Sequence, residues 1–169
     1  DMVRPKWLES CRKHLISEWG AFITYGYEAD DAIGIESTEC LHGKDLGIIC
    51  SIDKDLRQLP GSHYNFVKRE FSYISPYEAK WNYYYQLLVG DSADNIKGCP
   101  GIGPVKAKRI LDTEMSQWYP AIYAEYIHQY NNNKDAYKWM ILNGQLLWIL
   151  RSPDKFWQPP QLEVDLQLI

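Results

Sequence analysis

The 169-residue chain lacks any run of 18 apolar residues and any amino-terminal leader of the secretory kind, so neither membrane insertion nor secretion is expected and a cytoplasmic setting follows. It has only four cysteines (Cys11, Cys40, Cys50 and Cys99), none in a C-x-x-C pair, and only four scattered histidines (His14, His42, His63 and His128). That spacing argues against zinc and against disulfides, and the cysteines in apolar surroundings are expected to be buried free thiols. There is no repeat, no low-complexity segment, and no serine, histidine and acid constellation of the kind used in covalent catalysis. At 46% hydrophobic residues, the chain can build one core, or two small ones packed closely together.

Against these absences stand seven carboxylates in three tight groups. They are Glu28, Asp30 and Asp31 in "GYEADD", Asp53 and Asp55 in "SIDKD", and Asp91 and Asp94 in "GDSADN". Carboxylates this crowded repel one another and raise each other's pKa unless cations neutralise them, so the pattern makes physical sense as a cradle for metal. An oxygen-only donor set points to magnesium or manganese. The formal charge of -4 does not exclude nucleic acid: setting aside the seven clustered acids leaves 15 acidic against 18 basic residues. From Asn95 to Leu111 the chain carries Lys97, Lys106, Lys108 and Arg109 and no acid.

Apolar spacing predicts an amphipathic helix over 5–19 and a short strand at Ala21–Tyr25 ended by Gly26. "EADD" then opens a helix to about His42, its acids favoured by the helix dipole, with Gly43 as its stop. The continuous apolar run Leu46–Ile52 reads as a strand buried on both faces in a parallel sheet, delivering Asp53 at its carboxyl end, where open α/β sheets place their sites. One or two short edge strands are expected within 64–74. Ser75, Pro76 and Glu78 spell a capping box with proline at the first helical position, predicting a helix to Val89. Further helices are expected over 104–112, 120–130 and 135–150, and the proline-broken 151–169 reads as an extended tail over the surface.

Each acidic group has a plain structural reading, since acids favour helix starts and loop aspartates cap turns. Helical spacing nevertheless puts Glu28 and Asp31 on one face, and all three groups can converge at one end of a sheet. Two cations about 4 Å apart in such a site would activate water and neutralise a phosphodiester transition state without a nucleophilic side chain. Directly after the third group, "GCPGIGPVKAKRIL" offers Gly101 and Gly103 for a tight hairpin. Its amides could reach a phosphate while Lys106, Lys108 and Arg109 supply charge, which is the helix-hairpin-helix pattern. Most of the 13 tyrosines and seven tryptophans are better read as core than as base-stacking platforms, with Tyr25, Tyr27 and Tyr64 as looser candidates.

With these landmarks in order ("YEADD", "SIDKDLRQL", "GDSADNIKGCPGIGPVKAKRIL"), the chain resembles the 5′ nuclease family of flap endonucleases and phage 5′ to 3′ exonucleases. The resemblance implies an α/β fold, a PIN-like parallel sheet flanked by helices. Residues 1–90 would be the carboxyl-terminal part of the nuclease domain, 91–150 a helical DNA-binding region and 151–169 a tail. It implies two Mg2+ or Mn2+ ions, with Glu28, Asp30, Asp31, Asp53 and Asp55 holding or orienting the first and Asp91 and Asp94 serving the second. Asp31, Asp53 and Asp55 would be the catalytic acids. Gly101, Gly103, Lys106, Lys108 and Arg109 would grip duplex DNA, with a K+ ion at the hairpin. The substrate implied is DNA with a 5′ flap or 5′ end, cleaved during replication or recombination.

The ending "ILRSPDKFWQPP" looks most like a bacteriophage enzyme, which would place it in host cytoplasm. Family members also carry an N-terminal portion, with a central strand and a basic arch, that this chain lacks, so an N-terminal fragment of the same nuclease is the expected partner. A noncatalytic helix-hairpin-helix module is the alternative, and an RNA-cleaving relative is disfavoured because it would not need the duplex-gripping hairpin.

Overall fold

The computed structural model describes residues 4–43, 46–130 and 132–160. Its local structure follows from a few strong signals. Ser75 Oγ accepts the backbone N–H of Glu78 at 3.2 Å, and the Ser75 N–H donates to the Glu78 carboxylate at 2.8 Å. That reciprocal cap starts helix α3 at Pro76–Val89, as the sequence predicts. The acidic segment opens α2 (Ala29–Gly43), and Leu8–Trp19 forms α1.

Three strands make one sheet in the order β1 (Ile48–Cys50), β2 (Gly61–Asn65), β3 (Glu70–Ile74). β1 pairs parallel to β2, with Ile49 opposite His63, and β2 pairs antiparallel to β3, with His63 opposite Ser72. The sheet is therefore mixed and not wholly parallel as expected, and of the edge strands expected within 64–74 only β3 is one, since β2 begins at Gly61 and lies between β1 and β3. Helices α4 (Pro104–Ile110), α5 (Met115–Tyr130) and α6 (Asn133–Leu147) complete the chain order.

Apolar burial falls into two clusters. The larger is helical: Tyr83, Leu87 and Leu88 of α3 pack with Trp118, Ile122 and Tyr126 of α5 and Met140 of α6. Its aromatic polar tips are satisfied internally, Tyr83 Oη donating to Gly144 O at 3.0 Å and Tyr126 Oη to Leu87 O at 2.8 Å, so these rings are core as expected. The smaller cluster, Ile49, Leu56, Leu59 and Ile149, lies under β1 and the 3-10 turn Asp55–Gln58.

Several expectations need correction. Ala21–Tyr25 forms no strand, and its Phe22 and Tyr25 are exposed. An apolar pentapeptide becomes a strand only beside a partner that takes its hydrogen bonds, and no described strand lies next to it. β1 is shorter than 46–52 and buries only Ile49, leaving Ile48 and Ile52 more than half exposed. The cause is pairing on one side only: among the described residues β2 is its sole neighbour.

Helix α1 forms but buries none of its residues, so its apolar stripe, including Leu15, Ile16 and Trp19, faces outward. Only Cys99 is a buried thiol; Cys11 and Cys50 are exposed and Cys40 half-buried, all four being free. Residues 151–160 are irregular, as the prolines require, yet they do not merely skim the surface. Trp157 is buried against Tyr83 and Gly144, where a Cβ on the glycine would come within 2.4 Å of the indole. The rest of the expected tail, 161–169, lies outside the described residues.

Candidate metal centre

β1 ends at Cys50 and the chain turns sharply. The Asp53 N–H donates to Ser51 Oγ at 3.0 Å, and Asp53 Oδ1 accepts the Asp55 N–H at 2.9 Å. This aspartate turn swings the chain into the 3-10 turn and aims Asp55 across the end of the sheet. The Gly90–Ile96 loop closes the other side: Asp91 and Ile96 exchange both backbone hydrogen bonds, and Asp91 Oδ1 accepts the Ala93 N–H at 2.8 Å. As a result, one carboxylate oxygen each from Asp55, Asp91 and Asp94 lies within 4.8 Å of the others.

The first acidic group faces this trio across a cleft of about 330 Å³ whose walls include Glu28, Asp30, Asp31, Asp55 and Asp94. Five of the seven expected carboxylates thus line one cleft. Asp91 is buried in the trio beside it, and Asp53 stands just outside as the cap of Asp55. Asp31 is already engaged on both oxygens, Oδ1 by the Leu150 N–H at 2.8 Å and Oδ2 by the Glu28 N–H at 3.4 Å, so it shapes the cleft wall.

The crowding has the expected electrostatic consequence. Glu28 is pushed above the usual carboxylate range, chiefly by Asp30, with burial, Asp31 and Asp94 adding. Asp30 is raised chiefly by burial, with Asp31 and Asp53 adding. Asp55 is raised chiefly by burial and further by Asp53 and Asp91, while Lys54 and the Gln86 amide oppose the rise. Asp91 is lowered, chiefly because Lys54 Nζ donates to its Oδ2 at 2.6 Å. A cleft of oxygen donors that resist shared ionisation, and that draws in an ammonium, suits hard divalent cations.

Sequence reasoning missed four contributors. Lys54 reads as a spacer between two aspartates, Gln58 ends a polar run with no signal of its own, Gln86 is a single polar residue in an apolar stretch, and Leu147–Leu150 reads as helix where it walls the cleft. Nothing in their local spacing signals a role, because each acts through a contact distant in sequence.

Beyond the cleft, Gly101 (φ 71°) turns the connection between α3 and α4 and Gly103 caps α4, with Pro104 at its first turn. Lys108 and Arg109 are exposed and line a groove of about 600 Å³ with Arg57, Trp81 and Asn82 of the preceding elements. Lys106 is held by Glu125 of α5 at 2.8 Å. Of the candidate stacking residues, Tyr25 is exposed, Tyr27 lines the carboxylate cleft and Tyr64 packs on Phe71 at 4.5 Å between ring centres.

No family model matches the chain. It is 37% identical over 95 residues to DNA polymerase I of Deinococcus radiodurans, covering 51% of this chain and 10% of that protein. It is 36% identical over 98 residues to flap endonuclease Xni of Shewanella amazonensis, covering 53% and 39%. With the 5′-3′ exonuclease of Mycoplasma genitalium it shares 31% over 103 residues, 51% of this chain and 34% of that one. The chain therefore spans well under half the length of these relatives.

Among solved structures, T5 D15 protein co-crystallized with metal ions superposes with a TM-score of 0.58 at 16% identity, over 85% of this chain and 64% of that one. The T5 flap endonuclease in a pseudo-enzyme-product complex with DNA and metal ions gives 0.57 at 16%, over 82% and 57%. No described helix is long and apolar enough to cross a membrane. Over about half its length the chain is thus similar in sequence to a flap endonuclease and a 5′-3′ exonuclease, and over most of its length it is similar in fold to the T5 flap endonuclease.

Proposed function

We propose that this chain carries the metal-binding and duplex-gripping parts of a structure-specific 5′ nuclease that hydrolyses DNA phosphodiester bonds at 5′ flaps or 5′ ends. The observation that carries this reading is the meeting of Asp55, Asp91 and Asp94 oxygens within 4.8 Å, across the cleft from Glu28 and Asp30. Asp55, Asp91 and Asp94 would hold one divalent cation, and Glu28 and Asp30 would complete the opposite side. Asp31 and Asp53 would orient their neighbours through the backbone hydrogen bonds they already make. Mg2+ or Mn2+ bound there supplies a water acidic enough to attack near neutral pH and offsets the charge of the pentavalent phosphorus.

The remaining residues position the substrate. The Gly101–Gly103 hairpin and the exposed Lys108 and Arg109 hold the phosphate backbone of a duplex without reading bases, with a K+ ion as the proposed partner of the hairpin carbonyls. The outer edge of β1, unpaired among the described residues and flanked by exposed Ile48 and Ile52, fits an added strand. An N-terminal portion of the same nuclease is the proposed occupant, since the relatives extend well beyond the matched segment. Replication or recombination in a bacteriophage, and so a host cytoplasm, is the proposed setting.

The test is cleavage of a 5′-flap DNA with magnesium, using this chain alone and mixed with an N-terminal nuclease portion. Cleavage that needs magnesium and is lost in Asp55→Asn, with duplex binding kept, is the expected result. Salt-sensitive duplex binding with no cleavage under any condition would replace this reading with that of a noncatalytic DNA-binding module.

A further inference from the structure

The segment from Leu147, the last residue of α6, to Arg151 touches Asp31 of the first acidic group directly and is linked to Asp55 of the second through the side chains of Gln58 and Gln86. On one side the Leu150 N–H donates to Asp31 Oδ1 at 2.8 Å. The fit there is close, since a Cβ added to Gly34 of α2 would lie 2.2 Å from Leu150 O. On the other side Leu147 O accepts from Gln58 Nε2 at 2.8 Å, and Arg151 donates to Gln58 O at 2.6 Å while its guanidinium stacks 4.2 Å over the Trp148 ring. Gln58 Nε2 also donates to Gln86 Oε1 at 2.6 Å, and Gln86 Nε2 in turn donates to Asp55 Oδ1.

The sense of this chain of amides is forced from its far end. Leu147 O can only accept, so the buried Gln58 must present its NH2 group to it, and the same NH2 group then faces Gln86. Gln86 must therefore accept with its oxygen and donate with its nitrogen, which points an N–H at Asp55. The arrangement leaves Gln58 Oε1 and Arg151 Nε buried without partners. Leaving buried polar atoms unsatisfied is destabilising, and an apolar side chain in place of Gln58 would fill the space without that cost. A residue kept for packing alone does not account for the pattern.

We propose that Gln58 and Gln86 are positioning residues for Asp55, and that the 147–151 segment is the common support that sets the spacing between the two carboxylate groups. The inference rests on the metal-site reading given above. Its test is Mn2+ binding to the full chain, followed by calorimetry and by the spin-resonance signal of free Mn2+, well below the unfolding temperature and without DNA.

Gln86→Met, which keeps length but removes the donor, should weaken Mn2+ about tenfold, in the range seen when groups that orient metal ligands are removed. Gln58→Leu should do the same at the next link, and Arg151→Gln should do so to a smaller degree. Unfolding temperature in EDTA should move little for Gln86→Met, whose side chain is only half-buried. Wild-type affinity in Gln86→Met and Gln58→Leu overturns the positioning role while leaving the metal site standing. No Mn2+ binding by the unaltered chain overturns both.

Discussion

Lys54 Nζ lies 2.6 Å from Oδ2 of the buried Asp91 and 4.0 Å from Oδ1 of Asp55, so a side-chain ammonium stands among the carboxylates proposed to hold cations. The lysine is largely exposed, which keeps the bare ion pair weak. Its consequence is local: it neutralises a carboxylate that has almost no solvent of its own, and it lowers the pKa of Asp91 where burial alone would raise it.

Replacing that ammonium should destabilise the metal-free chain in a pH-dependent way. Lys54→Ala leaves Asp91 with only its backbone hydrogen bonds from Ala93 and Asp94, a loss of about 1 kcal/mol once solvent screening is allowed for. The folded pKa of Asp91 is depressed, so its stabilisation is full above the ordinary carboxylate value and disappears as pH falls through the depressed one. Urea unfolding of wild type and variant should therefore differ at pH 7 and converge in acid. Millimolar Mg2+ should also narrow the gap at pH 7. An equal gap at every pH would mean the lysine acts through packing.

Asp30 gives the opposite sign. Its pKa is raised, chiefly by burial, so the folded chain holds that proton more tightly than the unfolded one, and stability declines as pH rises from the ordinary to the raised value. Above the raised value the penalty is full. Asp30→Asn should therefore stabilise the chain in EDTA by about 1 kcal/mol, the gain typical of relieving strain at a functional site. With Mg2+ present the ranking should reverse, because wild type gains from the cation what the variant cannot. Thermal unfolding with and without the ion measures both arms.

The acids were legible in sequence because their chemistry and their place after apolar segments are local properties. The cap at Ser75 and Glu78 was legible for the same reason, and α3 begins where those residues put it. What stayed hidden is held by long-range contacts: Lys54 meets Asp91, 37 residues away, and Gln58 meets Leu147, 89 residues away. The strand expected at Ala21–Tyr25 and the two-sided burial expected for β1 failed for one shared reason. An apolar run records that a partner surface is wanted, but not whether one lies among the residues at hand.

Two glycines in the connection between α3 and α4 should respond differently to alanine. Gly98 has φ 64°, and a Cβ there would sit 2.3 Å from Gly90 N and 2.7 Å from Leu88 O, where the loop closes on the end of α3. Gly98→Ala combines a left-handed backbone with a backbone clash and should cost about 3 kcal/mol or more. Gly103 has φ −92° and open space within 4 Å, so Gly103→Ala meets neither strain nor clash and should cost only about 0.5–1 kcal/mol, the margin by which alanine is the poorer N-cap. Denaturant midpoints for the pair decide it, and equal losses would refute the backbone argument.

The basic residues of α4 should divide in DNA binding according to what already holds them. Lys108 and Arg109 are exposed beside Arg57 in an open groove, while Lys106 is partly buried and paired with Glu125 at 2.8 Å. A phosphate contact releases counterions, so removing one should lower the slope of log affinity against log salt by about 1. Lys108→Ala and Arg109→Ala should each do so in duplex anisotropy titrations, with little dependence on sequence. Lys106→Ala should leave the slope near wild type, since freeing that lysine for DNA would first require breaking its ion pair. A drop in slope for Lys106→Ala as large as for Lys108→Ala would mean that Glu125 releases the lysine when DNA arrives. In that case Glu125→Gln should tighten duplex binding.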